Sequence, residues 1–165
     1  MPSDILTSPL QRPLYTPAQR ARRDESVWTT VQAILAPLQF VVFLVSLILV
    51  LRFLVAGVGY DAATMSIIVK TLILLTIMVT GAIWEKAVFG QYLFAPAFFW
   101  EDVVSFAVIA LHLAYVWALW MGLAHDVQMW IALAAYTTYV INAAQFLRKL
   151  RLARLQGDHV AKGAA

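Results

Sequence analysis

Four long apolar segments constrain the fold of this chain more than any other feature of its sequence. They cover about residues 31–55, 64–84, 98–122 and 127–147. Each is close to the roughly 20 residues that a helix needs to cross the hydrocarbon core of a bilayer. With 62% hydrophobic and 13% charged residues, the chain holds more apolar sequence than a soluble domain of this size can bury. The pattern predicts an all-α integral membrane protein, a transmembrane bundle of four helices.

A polar arm precedes the first span. Residues 1–27 contain four of the six prolines and lack the apolar core of a cleavable signal peptide. Within this arm we predict a short helix at the membrane surface over 15–26, which Thr16 caps and in whose first turn Pro17 lies. The predicted domains are a cytoplasmic N-terminal arm at 1–27, a four-span membrane domain at 28–155 and a flexible C-terminal tail at 156–165.

The basic residues predict how the spans are oriented. Lys and Arg are enriched on the cytoplasmic side of membrane proteins, and an even number of spans places both termini on one side. Ten of the twelve basic residues fall on that side, including Lys86 between the second and third spans. We therefore expect both termini and the segment 85–102 to face the cytoplasm. Lys70, toward the far side, is expected to reach the interface by snorkelling.

Three carboxylates lie at this predicted cytoplasmic edge: Glu85, Glu101 and Asp102. Ionisable groups at membrane depth are candidates for function, although acids at the start of a helix also simply favour the positive end of its dipole. Adjacent residues of a helix diverge by about 100°. We therefore expect one of Glu101 and Asp102 to face the bundle and the other to pair with Lys86 or an arginine of the arm.

Aromatic side chains crowd the same connector. A flat, conjugated ligand would stack favourably on such rings, whereas the simpler interpretation is an aromatic belt at the level of the lipid headgroups. The two interpretations are compatible. The aromatic candidates for ligand binding are Trp84, Phe94, Phe98, Phe99 and Trp100.

Polar side chains inside the spans recur at helical spacing and so share helix faces. These faces comprise Gln32, Gln39 and Ser46 in the first span, Glu101, Ser105 and His112 in the third, and Thr138, Asn142, Gln145 and Lys149 in the fourth. They would meet inside a bundle, either as interhelical hydrogen bonds or as a ligand site. The candidates for ligand binding among them are Gln39, His112, Asn142 and Gln145.

Several classes of chemistry lack the residues they need. The chain has no cysteine, which excludes disulfides, iron–sulfur clusters and thiolate metal sites. It also lacks a phosphate-binding glycine loop and a His-x-x-x-His pair. The net charge of +3 comes from residues at membrane edges, so we expect no nucleic-acid partner. Proton transfer by carboxylates is the chemistry that the remaining residues best allow.

Four stretches carry a family resemblance: "LYTPAQRARRDESVWT", "LAPLQFVVFLVSLILVLRFL", "KTLILLTIMVTGAIWEKAVFGQYLFAPAFFWEDVVS" and "AAYTTYVINAAQFLRKLR". They resemble the 3-vinyl bacteriochlorophyllide hydratases of bacteriochlorophyll biosynthesis, from about Leu14 to Leu155. The resemblance implies a hydro-lyase that adds water across the C3-vinyl group of chlorophyllide a or its bacteriochlorin counterpart, giving a 3-(1-hydroxyethyl) group. It implies no cofactor.

For this reaction we expect acid–base catalysis by the carboxyl groups of the connector. A protonated Glu101 or Asp102 would donate to the terminal vinyl carbon, and positive charge would develop on the adjacent carbon. Water, deprotonated by a second carboxylate such as Glu85, would attack there. Burial beside aromatics and a second negative charge favour the neutral form of one acid. His112 is a candidate axial ligand for the Mg²⁺ of the substrate.

Two non-catalytic alternatives stay open at the level of sequence. One is a carrier or assembly factor that binds a tetrapyrrole in the photosynthetic membrane, which would need the aromatics but not the carboxylates. The other is a small structural subunit of a larger membrane complex. The expected partners are the tetrapyrrole, water and lipid, with a homo-oligomer or contact with other enzymes of bacteriochlorophyll biosynthesis also open. The expected location is the bacterial cytoplasmic (photosynthetic) membrane.

Overall fold

The computed structural model describes residues 14–163, with side chains described as far as Leu155. All regular secondary structure in this part of the chain is α-helical, as predicted. The helices are α1 (Pro17–Glu25), α2 (Val27–Ala56), α3 (Tyr60–Phe89), α4 (Phe99–Trp120) and α5 (His125–Gly163). Residues 1–13 of the predicted arm and 164–165 of the predicted tail lie outside the described residues.

The arm helix forms as predicted. The Thr16 hydroxyl accepts a hydrogen bond from the backbone N–H of Gln19, whose side chain accepts in turn from the N–H of Thr16, a capping box that satisfies two otherwise free donors. Arg22 then donates from Nε to the backbone carbonyl of Val88 at 2.9 Å. The arm helix is therefore attached to the end of α3 that leads into the connector.

Three helices of the described chain are long and apolar enough to cross a membrane: α2, α3 and α4. The predicted fourth span at 127–147 lies inside α5, whose threonine, asparagine and glutamine residues make it less apolar. The membrane character of the protein is supported, and a fourth span stays a prediction. Helix α5 also extends past residue 147, and the backbone of the predicted tail is helical as far as Gly163.

The four long helices pack as two antiparallel pairs, α2 with α3 and α4 with α5, which meet through contacts between α2 and α5 and between α3 and α4. The side chains between them form an aromatic-rich core around Phe43, Tyr115 and Tyr136. Large apolar residues also cover the outer surface, where Val55 is 87% exposed and Trp120 81%. Lipid tails solvate such a surface well, and water does not.

Candidate active site

The connector between α3 and α4 folds back over the ends of both helices. Gly90 ends α3 in the left-handed conformation, and Phe94 adopts a positive φ of 58°. Phe94 is the one non-glycine residue with positive φ in the described chain. This conformation costs a bulky residue on the order of 1–3 kcal/mol, so surrounding contacts have to hold it.

Two buried carboxyl groups hold the connector in this shape. The backbone N–H of Phe94 donates to Oδ2 of Asp102 at 2.7 Å, and the next N–H, of Ala95, donates to Oε2 of Glu85 at 3.1 Å. Glu85 and Asp102 are 5% and 4% exposed. Because these N–H donors belong to consecutive residues, they bring the two carboxyl groups close together. Neighbouring buried carboxylates disfavour each other's charge, so one group favours its neutral form and the pair titrates as a unit.

The third carboxylate points elsewhere. Glu101 is 6% exposed and forms an ion pair with Lys149 of α5, whose Nζ lies 2.5 Å from Oε2. The same ammonium donates to the carbonyl of Ala97, so one lysine links α5, α4 and the connector. The predicted pairing with Lys86 or an arginine of the arm is wrong. The ammonium of Lys86 instead donates to the carbonyl of Gly90, the residue that ends its own helix, α3.

Both adjacent acids are therefore buried, although the sequence predicted an inward position for one. The divergence of neighbouring helix positions explains how. Asp102 is directed at α3 and Glu101 at α5, and each acid finds its own partner. The carboxyl pair of Glu85 and Asp102 and the ion pair of Glu101 and Lys149 are neighbouring but separate units.

The aromatic residues of the connector divide into an outer and an inner group. In the outer group Phe94 stacks on Phe106, with ring centroids 5.5 Å apart and planes 14° apart, and also contacts Phe99. Trp100 is 68% exposed and meets Phe99 edge to face. These rings present an exposed aromatic surface next to Asp102. Sequence reasoning missed Phe106, although its spacing of seven residues from Phe99 places it on the same helix face.

The inner aromatic group packs the connector against the arm. Phe98 is 2% exposed and contacts Trp84 and Tyr15. The indole N–H of Trp84 donates to the hydroxyl of Thr29 at 2.9 Å. Trp84 and Phe98, both predicted to bind a ligand, thus lie in a packed cluster and not on the exposed aromatic surface.

A second ionisable pair lies deeper in the bundle. Nζ of Lys70 is 3.2 Å from Nε2 of His112, and Nδ1 of His112 is 2.8 Å from the carbonyl oxygen of Val108. Lys70 is 0% exposed, so the prediction that it snorkels is wrong. Its side chain turns inward, and its ammonium lies 4.0 Å from the ring centroid of Tyr139, where a π-face offsets part of the lost hydration.

The pairing of His112 bears on its predicted role as a ligand of substrate Mg²⁺. The Val108 carbonyl can only accept, so Nδ1 carries the proton and Nε2 of a neutral ring accepts from Lys70. Both ring nitrogens thus have protein partners in a side chain that is 1% exposed.

The predicted amide residues lie on α2 and α5. Asn142 donates from Nδ2 to the hydroxyl of Ser105 at 2.8 Å, which joins α5 to α4. Three amide oxygens are buried without a hydrogen-bond partner in the described part of the chain: those of Gln39, Asn142 and Gln145.

Known proteins resemble this chain over nearly its whole length. A family model described as 2-vinyl bacteriochlorophyllide hydratase matches residues 15–152. The protein of that name from Rhodobacter capsulatus is 71% identical over 149 residues, which cover 90% of this chain and 87% of the relative. The one from Cereibacter sphaeroides is 71% identical over 151 residues, which cover 90% of this chain and 94% of the relative. No solved structure matches.

Proposed function

We infer the reaction from one premise: the chain belongs to the 2-vinyl bacteriochlorophyllide hydratase family. It is a hydro-lyase of bacteriochlorophyll biosynthesis that adds water to the vinyl group of its tetrapyrrole substrate. The name of the relatives gives the vinyl group the number 2. The family name given in the sequence analysis numbers the vinyl group 3. The carrier and structural-subunit alternatives lose their support, because both relatives are named as enzymes.

The observation that carries the mechanism is the juxtaposition of two buried carboxyl groups, Glu85 and Asp102, which accept hydrogen bonds from consecutive backbone N–H groups. Hydration of a vinyl group needs one neutral acid to donate a proton and one ionised carboxylate to accept one. Two neighbouring buried carboxyl groups can supply both states at once, because the charge of one favours the neutral form of the other. We therefore assign acid and base to this pair.

The proposed steps restore the number of protons on the carboxyl pair. The protonated carboxyl donates its proton to the terminal vinyl carbon, whose C=C π bond breaks, and the macrocycle delocalises the positive charge left on the adjacent carbon. A water oxygen forms a bond to that carbon and loses a proton to the other carboxylate. The product is a 1-hydroxyethyl group, and one shared proton is again present on the pair.

Glu101 is not the proton donor in this proposal, because its carboxyl group is engaged by Lys149 of α5 and is directed away from the pair of Glu85 and Asp102. We assign it a positioning role instead. The pairing through Lys149 holds α5 and the carbonyl of Ala97 in place. This fixes the loop whose N–H groups hold the two catalytic carboxyl groups.

The exposed aromatic surface of Phe94, Phe99, Trp100 and Phe106 suits the flat macrocycle. Stacking on these rings would bring a ring-edge vinyl group toward Asp102, which accepts from the Phe94 N–H. His112 has no part in this placement, because it lies ten residues along α4 from Asp102, or about 15 Å, and both its nitrogens are engaged.

We also propose that α5 is a fourth span and that both termini lie on the cytoplasmic side of the photosynthetic membrane. Ten of the twelve basic residues support this orientation, and α5 packs against both α4 and α2. The chain has no cysteine, so single cysteines introduced at Asp24 and Asp126 test it directly. We expect an impermeant thiol reagent to label the two positions from opposite sides of sealed membrane vesicles.

The mechanism is tested with Glu85→Gln and Asp102→Asn in isolated membranes, scored by product that gains the mass of one water. Because positioned proton transfer contributes typically about 10²–10⁴-fold, we expect losses of that order. Glu25→Gln removes an exposed acid of α1 and is the matched control. Normal turnover in both active-site variants would contradict the assignment of the pair.

A further inference from the structure

The three unpartnered amide oxygens are the starting point of this inference. Gln39 and Asn142 are 3% and 8% exposed, and their side-chain oxygens, with that of Gln145, have no hydrogen-bond partner in the described chain. Native proteins rarely leave buried acceptors unsatisfied, because such a group loses its hydration without gaining a donor. Three such oxygens among inward residues therefore indicate a ligand that donates hydrogen bonds.

Contacts between α2 and α5 place two of these oxygens at one level of the bundle. The rings of Phe43 and Tyr139 are 4.9 Å apart, and the two helices are antiparallel. Gln39 precedes Phe43 by one turn, and Asn142 follows Tyr139 by about one turn. Both residues therefore lie on the connector side of this contact. Gln145 is three residues beyond Asn142, on the same face of α5.

The same level lies next to the carboxyl groups. Nδ2 of Asn142 donates to the hydroxyl of Ser105 at 2.8 Å, and the oxygen of the same amide has no partner among the described residues. Ser105 is three residues from Asp102 on α4, or about 5 Å along the helix axis. A small molecule held at these amides is therefore about one helical turn deeper in the bundle than the carboxyl pair.

We propose that Gln39, Asn142 and Gln145 form an internal water site that supplies the water consumed by the hydration. The inference rests on the proposed function. Each water donates two hydrogen bonds and needs two to four polar partners, so two waters are enough to satisfy the three amide oxygens, with the hydroxyl of Ser105 as a further partner. A macrocycle on the exposed aromatic surface would block approach from outside, so the nucleophile arrives from within the bundle.

Radiolytic hydroxyl-radical footprinting of the purified protein in H₂¹⁸O tests the site without relying on activity. Radicals generated from a bound water label the side chains beside it even when bulk solvent does not reach them. Phe43 and Tyr139 are 3% and 8% exposed. We expect both to gain ¹⁸O in the wild-type protein and to lose at least about three-quarters of that label in the double variant Gln39→Leu/Asn142→Leu.

Gln32→Leu is the matched control, because it removes an amide of the same helix face that already bonds the hydroxyl of Thr80 at 2.8 Å. It should leave the label unchanged. Gln39→Met and Asn142→Leu, tested singly, keep the experiment informative if the double variant does not fold. Wild-type protein without label at both aromatic residues would overturn the site, as would a label that persists in the folded variants.

The activity assay separates this proposal from the mechanism. Label in the wild-type protein together with normal turnover of Glu85→Gln and Asp102→Asn would retain the water site and remove the acid–base pair. Loss of turnover in those two variants, together with no label in the wild-type protein, would retain the acid–base pair and remove the water site. If both proposals hold, the double amide variant has a lower turnover while pigment still binds with unchanged affinity.

Discussion

Two buried pairs of ionisable side chains lie in the same bundle and differ in what surrounds them. Glu85 and Asp102 are covered by a connector that donates two backbone N–H groups to them, beside exposed aromatic rings. Lys70 and His112 are enclosed by aromatic rings of the core and a helix carbonyl. The carboxyl pair lies beside the exposed aromatic surface, whereas the interior pair lies among buried side chains of the core.

The difference shows that burial of charge alone does not identify a catalytic site. Both pairs combine two titratable groups in a desolvated environment, and both are potential functional groups by the general rule for membrane proteins. In the proposed mechanism the substrate reacts only at the carboxyl pair, which lies beside the exposed aromatic surface. The comparison therefore predicts that removing charge has a large effect on turnover at one pair and a small effect at the other.

The largest effect is expected from the double variant Glu85→Gln/Asp102→Asn. Residues that act as one unit are not additive in their kinetic effects. The double variant should lose about 10²–10⁴-fold in turnover, close to the slower single variant and not the product of the two. The measurement is the initial rate of hydration in membranes at equal protein. A multiplicative loss would show that the two acids act independently.

A smaller effect, on stability, is expected from Lys149→Met. The change leaves the 6% exposed carboxylate of Glu101 without its partner. Because the side chain of Lys149 is itself 24% exposed, we expect a loss of roughly 3 kcal/mol, the lower end for a broken buried pair. Thermal unfolding in detergent measures it, and Lys149→Met/Glu101→Gln should recover most of the loss. No recovery would mean that Lys149 stabilises mainly through Ala97.

The exposed aromatic surface should contribute less. Trp100→Ala removes one stacking ring, which is worth about 0.5–1.5 kcal/mol beyond its buried area. We expect roughly threefold to tenfold weaker binding of the tetrapyrrole, followed by quenching of tryptophan fluorescence. Trp120→Ala is the control, because that indole is 81% exposed at the opposite end of α4. Equal effects of both changes would place the pigment elsewhere.

The smallest effect is expected from Lys70→Met. A long apolar side chain replaces a fully buried amine of similar length, and Nε2 of the buried His112 loses its donor, which costs about 1–3 kcal/mol of stability. Turnover of the folded protein should stay within about twofold of the parent, because neither side chain acts on the substrate in the proposed mechanism. A loss of turnover approaching that of Glu85→Gln would remove the distinction between the two pairs and give the interior pair a role in catalysis.

The sequence predicted the helices better than it predicted their contacts. The arm helix and its Thr16 cap are local features, set within four residues, and the structure confirms them. The sequence predicted that one of the two adjacent acids pairs with Lys86 or an arginine of the arm, whereas Glu101 pairs with Lys149, which is 48 residues away. The site residues themselves stay predictions that the variants above will test.

The sequence by itself determined that this chain is helical, rich in membrane-length apolar segments and a member of its family. Helical periodicity, capping and hydropathy act over a few residues and need no partner. The tertiary structure alone decided that Asp102 meets Glu85, that Glu101 meets Lys149 and that Lys70 turns inward. Each of these depends on the rotation and axial register of two packed helices, which no spacing within one helix specifies.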